Sequence, residues 1–426
     1  MALLVFGALI GVPVATVIYF FLKGVGESQH YLFETLPAEL GFSGEPMWWP
    51  LPVLALSGLL VALAIHYLPG TGGHSPADGF KASGPVPPLE LPGIVVAAFV
   101  TLSFGVVLGP EAPAIAIGSG LGVLAVHLIK RDAPAQASVV IGVAGSFAAI
   151  STLLGSPIVG AFLLMEVSGL GGPLLGVVLV PGLLAAGVGS LIFVGLDAWT
   201  GFGTFSLAVP NIPPFGTPDG AEVLWALGIG VAAAVLGTAI RRLALLLRPI
   251  VARGPLLLTP VVGLAVGGLA IAFAEGSGRS SSEVLFSGQD ALPSLIENPA
   301  GWTAGALVLL VVCKGLAYGL SLSSFRGGPV FPGMFVGAAG GIALSHLPGL
   351  PMIAGAAMGI GAMTAAMLGL PLTAVLLATL FLQADGLALM PLVIIAVAVA
   401  YVVSARLAPA HKPGEVSTVS PRANPG

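Results

Sequence analysis

The chain has 426 residues, 57% of them hydrophobic and only 8% charged, where a soluble globular domain carries about 25% charged residues. That balance excludes a soluble protein and specifies an integral membrane protein, and the net charge of −4 argues against a nucleic-acid partner. One cysteine, Cys313, rules out an internal disulfide framework and a cysteine-based metal site. No metal or cofactor is expected.

Taken in chain order, apolar segments fall at about 2–22, 49–68, 92–108, 113–129, 136–152, 157–169, 173–195, 221–240, 254–274, 302–320, 332–346, 351–368, 371–384 and 388–408. Residues 2–22 lack a basic leader and a cleavage site, and read as a retained first span rather than a signal peptide. A simple span needs about 20 apolar residues. Several segments are shorter and begin at Gly or Pro, so they read as broken helices, which are tolerated at membrane depth only when buried in protein or lining a cavity. The high Gly and Pro counts, 62 and 36, fit close packing and interruption. The expectation is an all-α bundle of tilted and broken transmembrane helices. Residues 1–205 form its first half and 206–408 its second; residues 409–426 form a short cytoplasmic tail, with no regulatory domain after it.

The halves repeat one another. Gly109-Pro110-x-x-Pro113 recurs as Gly328-Pro329-x-x-Pro332, with Gly118 matching Gly337 and Gly122 matching Gly341. Leu154-Gly155-x-Pro157 recurs as Leu368-Gly369-x-Pro371, with Gly145 matching Gly359 and Leu163 matching Leu377. Charge indicates inversion. The loop after the first span holds Glu27, Glu34, Glu39 and Glu45, and the equivalent loop of the second half holds Arg241, Arg242, Arg248 and Arg253. Basic short loops stay cytoplasmic, so equivalent loops lie on opposite sides, with the stretches 196–222 and 275–297 outside. Inverted repeats with matched helix breaks are the pattern of a transporter with a midplane site.

Four stretches converge there. The first is Gly109-Pro110-Glu111-Ala112-Pro113. Its prolines start a helix and place Glu111 at the helix's positive end. An acid at membrane depth is expensive, which marks a functional site; the plain alternative is a cap on a buried helix. The second is the repeat partner, Phe325 to Pro332, where Val330 replaces the acid and the amides of Val330 and Phe331 remain as donors. Two half-helix starts aimed at one point favour an anion. Arg326 either raises the local potential or marks a cytoplasmic interface. Lys314, in mid-segment, either snorkels or lines the path. The third is Gly70-Thr71-Gly72-Gly73-His74-Ser75-Pro76, either a plain loop or an anion nest at a helix start with Ser75 as hydroxyl donor. The fourth runs from Leu154 to Glu166-Val167, where Glu166 either pairs with backbone or a cation, or touches the ion path. Gly109, Gly328, Ser75, Val330 and Phe331 make up the anion-binding set. Ionised Glu111 can fill the same positive focus as the anion and block it, and protonation or displacement then opens the path.

At these residues the chain resembles the CLC family of chloride channels and chloride/proton antiporters, over about residues 1–410. Gly109 to Pro113 is similar to the family's Gly-Arg/Lys-Glu-Gly-Pro, which implies that Glu111 is the gating glutamate. Gly328 to Pro332 resembles Gly-x-Phe-x-Pro, whose amides bind the central anion, and Gly72 to Pro76 is placed like Gly-Ser-Gly-Ile-Pro. The resemblance implies a homodimer with one pore per subunit and a small anion such as chloride as ligand. The expected setting is a lipid bilayer of the bacterial inner-membrane kind, with the basic loops and C-terminus cytoplasmic. Pro110 and Ala112 depart from the motif, Pro329 removes a donor, and Ser75 stands two places after the family serine. No tyrosine stands where the family's anion-binding tyrosine is placed, and Tyr401 does not align with it. Val167 fills the place of the antiporters' internal proton acceptor, as in channel members, which favours passive conduction over proton exchange. A sodium-coupled solute carrier needs more carboxylates around a cation, and an intramembrane enzyme needs a His/Asp or Ser/His set that the spans lack.

Overall fold

The computed structural model describes residues 2–80, 84–169, 173–201 and 215–408. The boundary expected at 205/206 and the tail 409–426 lie outside these residues. The described chain folds into sixteen α-helices. In the first half these are α1 (Ala2–His30), α2 (Leu36–Glu39), α3 (Pro50–Tyr67), α4 (Leu91–Ser103), α5 (Glu111–Ile129), α6 (Ala135–Leu154), α7 (Pro157–Ser168) and α8 (Pro173–Thr200). Then follow α9 (Gly220–Val251), α10 (Pro255–Ser277), α11 (Ala291–Glu297), α12 (Ala304–Ser324), α13 (Val330–Leu344), α14 (Met352–Leu368), α15 (Pro371–Phe381) and α16 (Gln383–Leu407). Among the described residues, nine helices are long and apolar enough to cross a membrane, and five apolar helices are shorter.

The sequence places the charges after each half's first span in loops, and the structure corrects this. A π-turn at Tyr31–Thr35 joins α1 to α2, so helix continues to Glu39. Arg241, Arg242 and Arg248 lie within α9, which runs on to Val251. Charged side chains on a helix that outruns the apolar slab leave its backbone bonds intact, so polarity alone does not mark a helix end.

The repeated motifs have local causes. Gly155 and Gly369 end α6 and α14 in the left-handed conformation, at φ 64° and 70°, which costs glycine little. Pro157 and Pro371 then open α7 and α15 at the first-turn position, where the missing N–H is not needed. The matched glycines bring helices together. A Cβ on Gly118 would land on the carbonyl of Gly145 in α6, and one on Gly337 would land on that of Gly359 in α14. Such close backbone approach is how membrane helices associate without a hydrophobic driving force.

The two halves meet at the matched motifs. The Gly109 amide donates to the Gly328 carbonyl at 2.8 Å, and the Gly328 amide returns the bond to Gly109 at 2.6 Å. Two residues that exchange both bonds in an antiparallel bridge are related by a local two-fold, the relation that inverted repeats require at their meeting point. The backbone around them, 104–110 and 325–329, is non-helical and mostly buried, so its polar groups need partners inside the protein. The crossing supplies them. The Val107 amide donates to Ser321 Oγ on α12, and the Arg326 amide donates to Thr101 Oγ1 on α4, each at 3.3 Å.

Candidate anion site

Pro110 and Pro329 sit as N-cap residues, and α5 and α13 start at Glu111 and Val330. The Gly109–Gly328 bridge holds these two helix starts side by side. Glu111 is completely buried. Its Oε1 accepts the Phe331 amide at 2.7 Å, and the Val330 amide and its own amide face the same carboxyl. Among the described residues, its Oε2 has no hydrogen-bond partner. The carboxylate of the first half therefore lies on the amides that open the second half's helix. Unpaired amides and an aligned dipole are what an anion seeks at a helix start.

Two members of the expected donor set have another role. The amides of Gly109 and Gly328 are spent on each other and cannot ligate an anion. What they contribute is space. A Cβ on either residue would overlap the Glu111 carboxylate, so only glycine admits that side chain. Val330 and Phe331 keep their amides on the focus that Glu111 occupies, and their side chains are buried in the core.

Beside this focus lies a cavity of about 80 Å³ bounded by Ala112, Pro113, Gly327, Pro329, Arg326 and Ser75. The Ser75 hydroxyl is buried without a partner among the described residues. The turn that carries it is not the start of an α-helix. It is a pair of 3-10 turns, Pro69–Gly72 and Pro76–Asp78, with positive φ at Gly70, Thr71, Gly72 and Gly73. Arg326 lines the cavity and is held by the carbonyls of Thr71 and Phe325, each at 3.2 Å. Asp78 also lines it and pairs with Arg248 of α9, while the Arg241 guanidinium approaches Gly79 nearby. Three guanidinium groups against one carboxylate make this cavity electropositive, which concentrates anions.

A second cavity, about 450 Å³, opens among Gln29, Glu34, Glu45, Glu283 and Asp290. Its residue Phe286 donates its amide to Gly105, in the segment that leads to Gly109. Burial pushes the Glu45 carboxyl above the usual carboxylate range, against the hydroxyls of Ser282 and Ser281 that hold it down. Burial also raises Glu283 and Asp290. The first cavity thus lies among basic groups and the second among acidic ones.

Lys314 neither snorkels nor lines the path. Its ammonium is buried on the carbonyls of Glu283, Val284 and Leu285 at 3.0, 3.1 and 2.8 Å, above the Phe335 ring. Glu166 takes the backbone alternative. It accepts the amides of Leu372 and Thr373 at 2.9 and 2.8 Å and the Thr373 hydroxyl at 2.6 Å, so both its oxygens are used. It caps α15 from another helix, because the N-cap residue Leu370 has no side-chain acceptor. In the first half Ser156 caps α7 itself. Val167 packs against the core. Sequence reading missed Ser321, Thr101 and Tyr318. Lys314, Tyr318 and Ser321 lie at i, i+4 and i+7 on one face of α12, and that polar stripe in an apolar helix was the available signal.

Residues 57–405 match the family model described as voltage gated chloride channel. A protein of Escherichia coli O1:K1 named YfeO, provisionally assigned to ion transport, is 30% identical over 349 residues, 80% of this chain and 79% of its own length. A YfeO of Escherichia fergusonii is 29% identical over the same length. A slow cyanobacterial Cl−/H+ antiporter superposes with TM-score 0.76 at 19% identity, covering 96% of this chain and 95% of its own. A CLC-type fluoride/proton antiporter gives 0.69 at 21%, covering 95% and 96%. At those identities the structures establish a shared fold.

Proposed function

The chain belongs to the voltage-gated chloride channel family, and from that premise we propose that it carries a small anion such as chloride across a membrane, with Glu111 as a removable plug. The observation that carries this reading is the Glu111 carboxylate lying on the Phe331 amide. An anion wants the same donors, so carboxylate and anion compete for one positive focus. The focus holds amides and dipoles but no buried cation, which leaves binding weak enough for release. Protonation of Glu111, or its displacement by an incoming anion, frees Val330 and Phe331. Ser75 and Arg326 serve the basic mouth, and α9's arginines support a cytoplasmic position for it. Two halves, 1–205 and 206–408, enclose one pore, and two such chains pair as a homodimer.

Conduction is passive in this proposal. Glu166 is held through both oxygens by the start of α15, and its neighbour Val167 has nothing to titrate, so a second proton acceptor is missing at that place. The antiporters with the same fold favour proton exchange as the second reading. Chloride efflux from liposomes with a simultaneous proton readout decides between them. The proposal expects chloride flux without uphill proton movement. Uphill proton movement driven by chloride overturns the passive mode, and absence of selective anion flux overturns anion transport itself.

A further inference from the structure

The buried Tyr318 of α12 donates its hydroxyl to the Pro329 carbonyl at 2.7 Å. Pro329 is the residue immediately before α13, and its carbonyl belongs to the same peptide unit as the Val330 N–H. In a trans peptide those two groups lie in one plane and point in opposite directions. A hydroxyl that holds the carbonyl on one side therefore aims the Val330 N–H toward the other, where the Glu111 carboxyl lies. A hydrogen bond to the carbonyl also polarises the unit and strengthens its N–H as a donor.

The repeat supplies an internal comparison. At the same offset as Gly109 and Gly328, the position matching Tyr318 is Phe99, which has no hydroxyl. There the matching carbonyl, Pro110, takes the ordinary helical bond from the Ala114 amide at 2.9 Å. Of these two peptide units, the second half's alone is held by a hydroxyl from another helix among the described residues. α12 is suited to hold it. One turn before Tyr318, Lys314 ties α12 to the carbonyls of 283–285. Three residues after it, Ser321 holds the Val107 amide of the opposing segment. The tyrosine is thus anchored on a helix fixed to both sides of the site.

We propose that Tyr318 is a positioning residue for anion binding, which directs and polarises the Val330 amide through the Pro329 carbonyl without touching the anion. The inference rests on the reading that the anion takes the place of Glu111 on the α13 amides. The test is Tyr318→Phe, with chloride as the probe, in calorimetric binding to the detergent-purified protein and in liposome efflux. Loss of one hydrogen bond behind the donor raises the half-saturating chloride concentration about three- to tenfold and leaves maximal flux nearly unchanged, the signature of lost binding. Unchanged chloride affinity, or reduced maximal flux at unchanged affinity, overturns the proposal, because a merely structural role gives one of those results. If Tyr318→Phe does not yield folded protein, 3-fluorotyrosine at 318 keeps the ring and makes a stronger donor. Tighter chloride binding then supports the proposal, and equal or weaker binding overturns it. Wild-type protein that neither binds chloride nor passes it overturns the underlying reading, whereas an unaltered Tyr318→Phe in a transporting background overturns only the role of Tyr318.

Discussion

Glu111 and Glu166 are two first-half carboxylates received by amides that open second-half helices, yet they are bound very differently. Glu166 is half-buried, uses both oxygens and takes three donors. Glu111 is fully buried, takes one short bond on one oxygen, and leaves the other without a partner. A buried carboxylate with an unmet oxygen is costly. The comparison teaches that the same device, an acid on a helix start, can be saturated, as a fastener is, or left with an unmet oxygen, as the proposed plug requires.

The largest effect that sharpens this contrast comes from Glu111→Gln. A single titrating plug changes its open fraction about tenfold per pH unit on its closed side. The variant keeps chloride flux and loses that dependence, so alkaline flux rises to the acidic level. Flux measured across pH in liposomes checks it, and a retained pH profile breaks the assigned role. Next is Gly328→Ala, whose Cβ overlaps the Glu111 carboxylate. The carboxylate is expelled from the focus and flux becomes nearly as insensitive to pH as in Glu111→Gln. The same flux series reads the result.

Glu166→Ala acts on stability instead. It strips two α15 amides of their acceptor, at a cost of about 2–3 kcal/mol for lost bonds to a charged group. Thermal unfolding in detergent reports the loss, and the pH profile of transport stays that of the wild type. A changed profile would erase the distinction between the two acids. The smallest effect is expected from Glu45→Gln in the acidic cavity. Burial raises that carboxyl, so acidifying its side neutralises it at a higher pH than a free glutamate and removes a negative charge that repels anions. Wild-type flux gains modestly on acidification of that side even when Glu111 is replaced by Gln, and Glu45→Gln removes the gain. Flux with one side's pH varied reads it.

Much of the frame was legible before any coordinates, because Gly, Pro and charge act locally. Proline starts set α5, α7, α13 and α15, and left-handed glycine stops end α6 and α14, close to where the motifs put them. The two helix starts were expected to converge, and they do. What was not legible depends on partners far along the chain. Gly109 and Gly328 were counted as donors, but their amides close on each other across more than two hundred residues. Their actual contribution, room for a carboxylate, has no local signature. Glu166 left two alternatives open because its partners are backbone amides of a distant helix. Lys314 looked like a snorkelling or path-lining cation because no sequence pattern reveals three carbonyls turned toward it. The arginines of α9 look like loop residues in the sequence because polarity marks the end of the apolar slab and not the end of the helix.

The measurement that tests the competition of carboxylate and anion most directly is chloride binding to the detergent-purified protein as a function of pH, for the wild type and Glu111→Gln side by side. If both occupy the α13 amides, wild-type affinity for chloride tightens on acidification as the plug is neutralised, and the variant binds with the tighter affinity at every pH. Equal affinities at all pH values, or a pH dependence that survives in the variant, would contradict it.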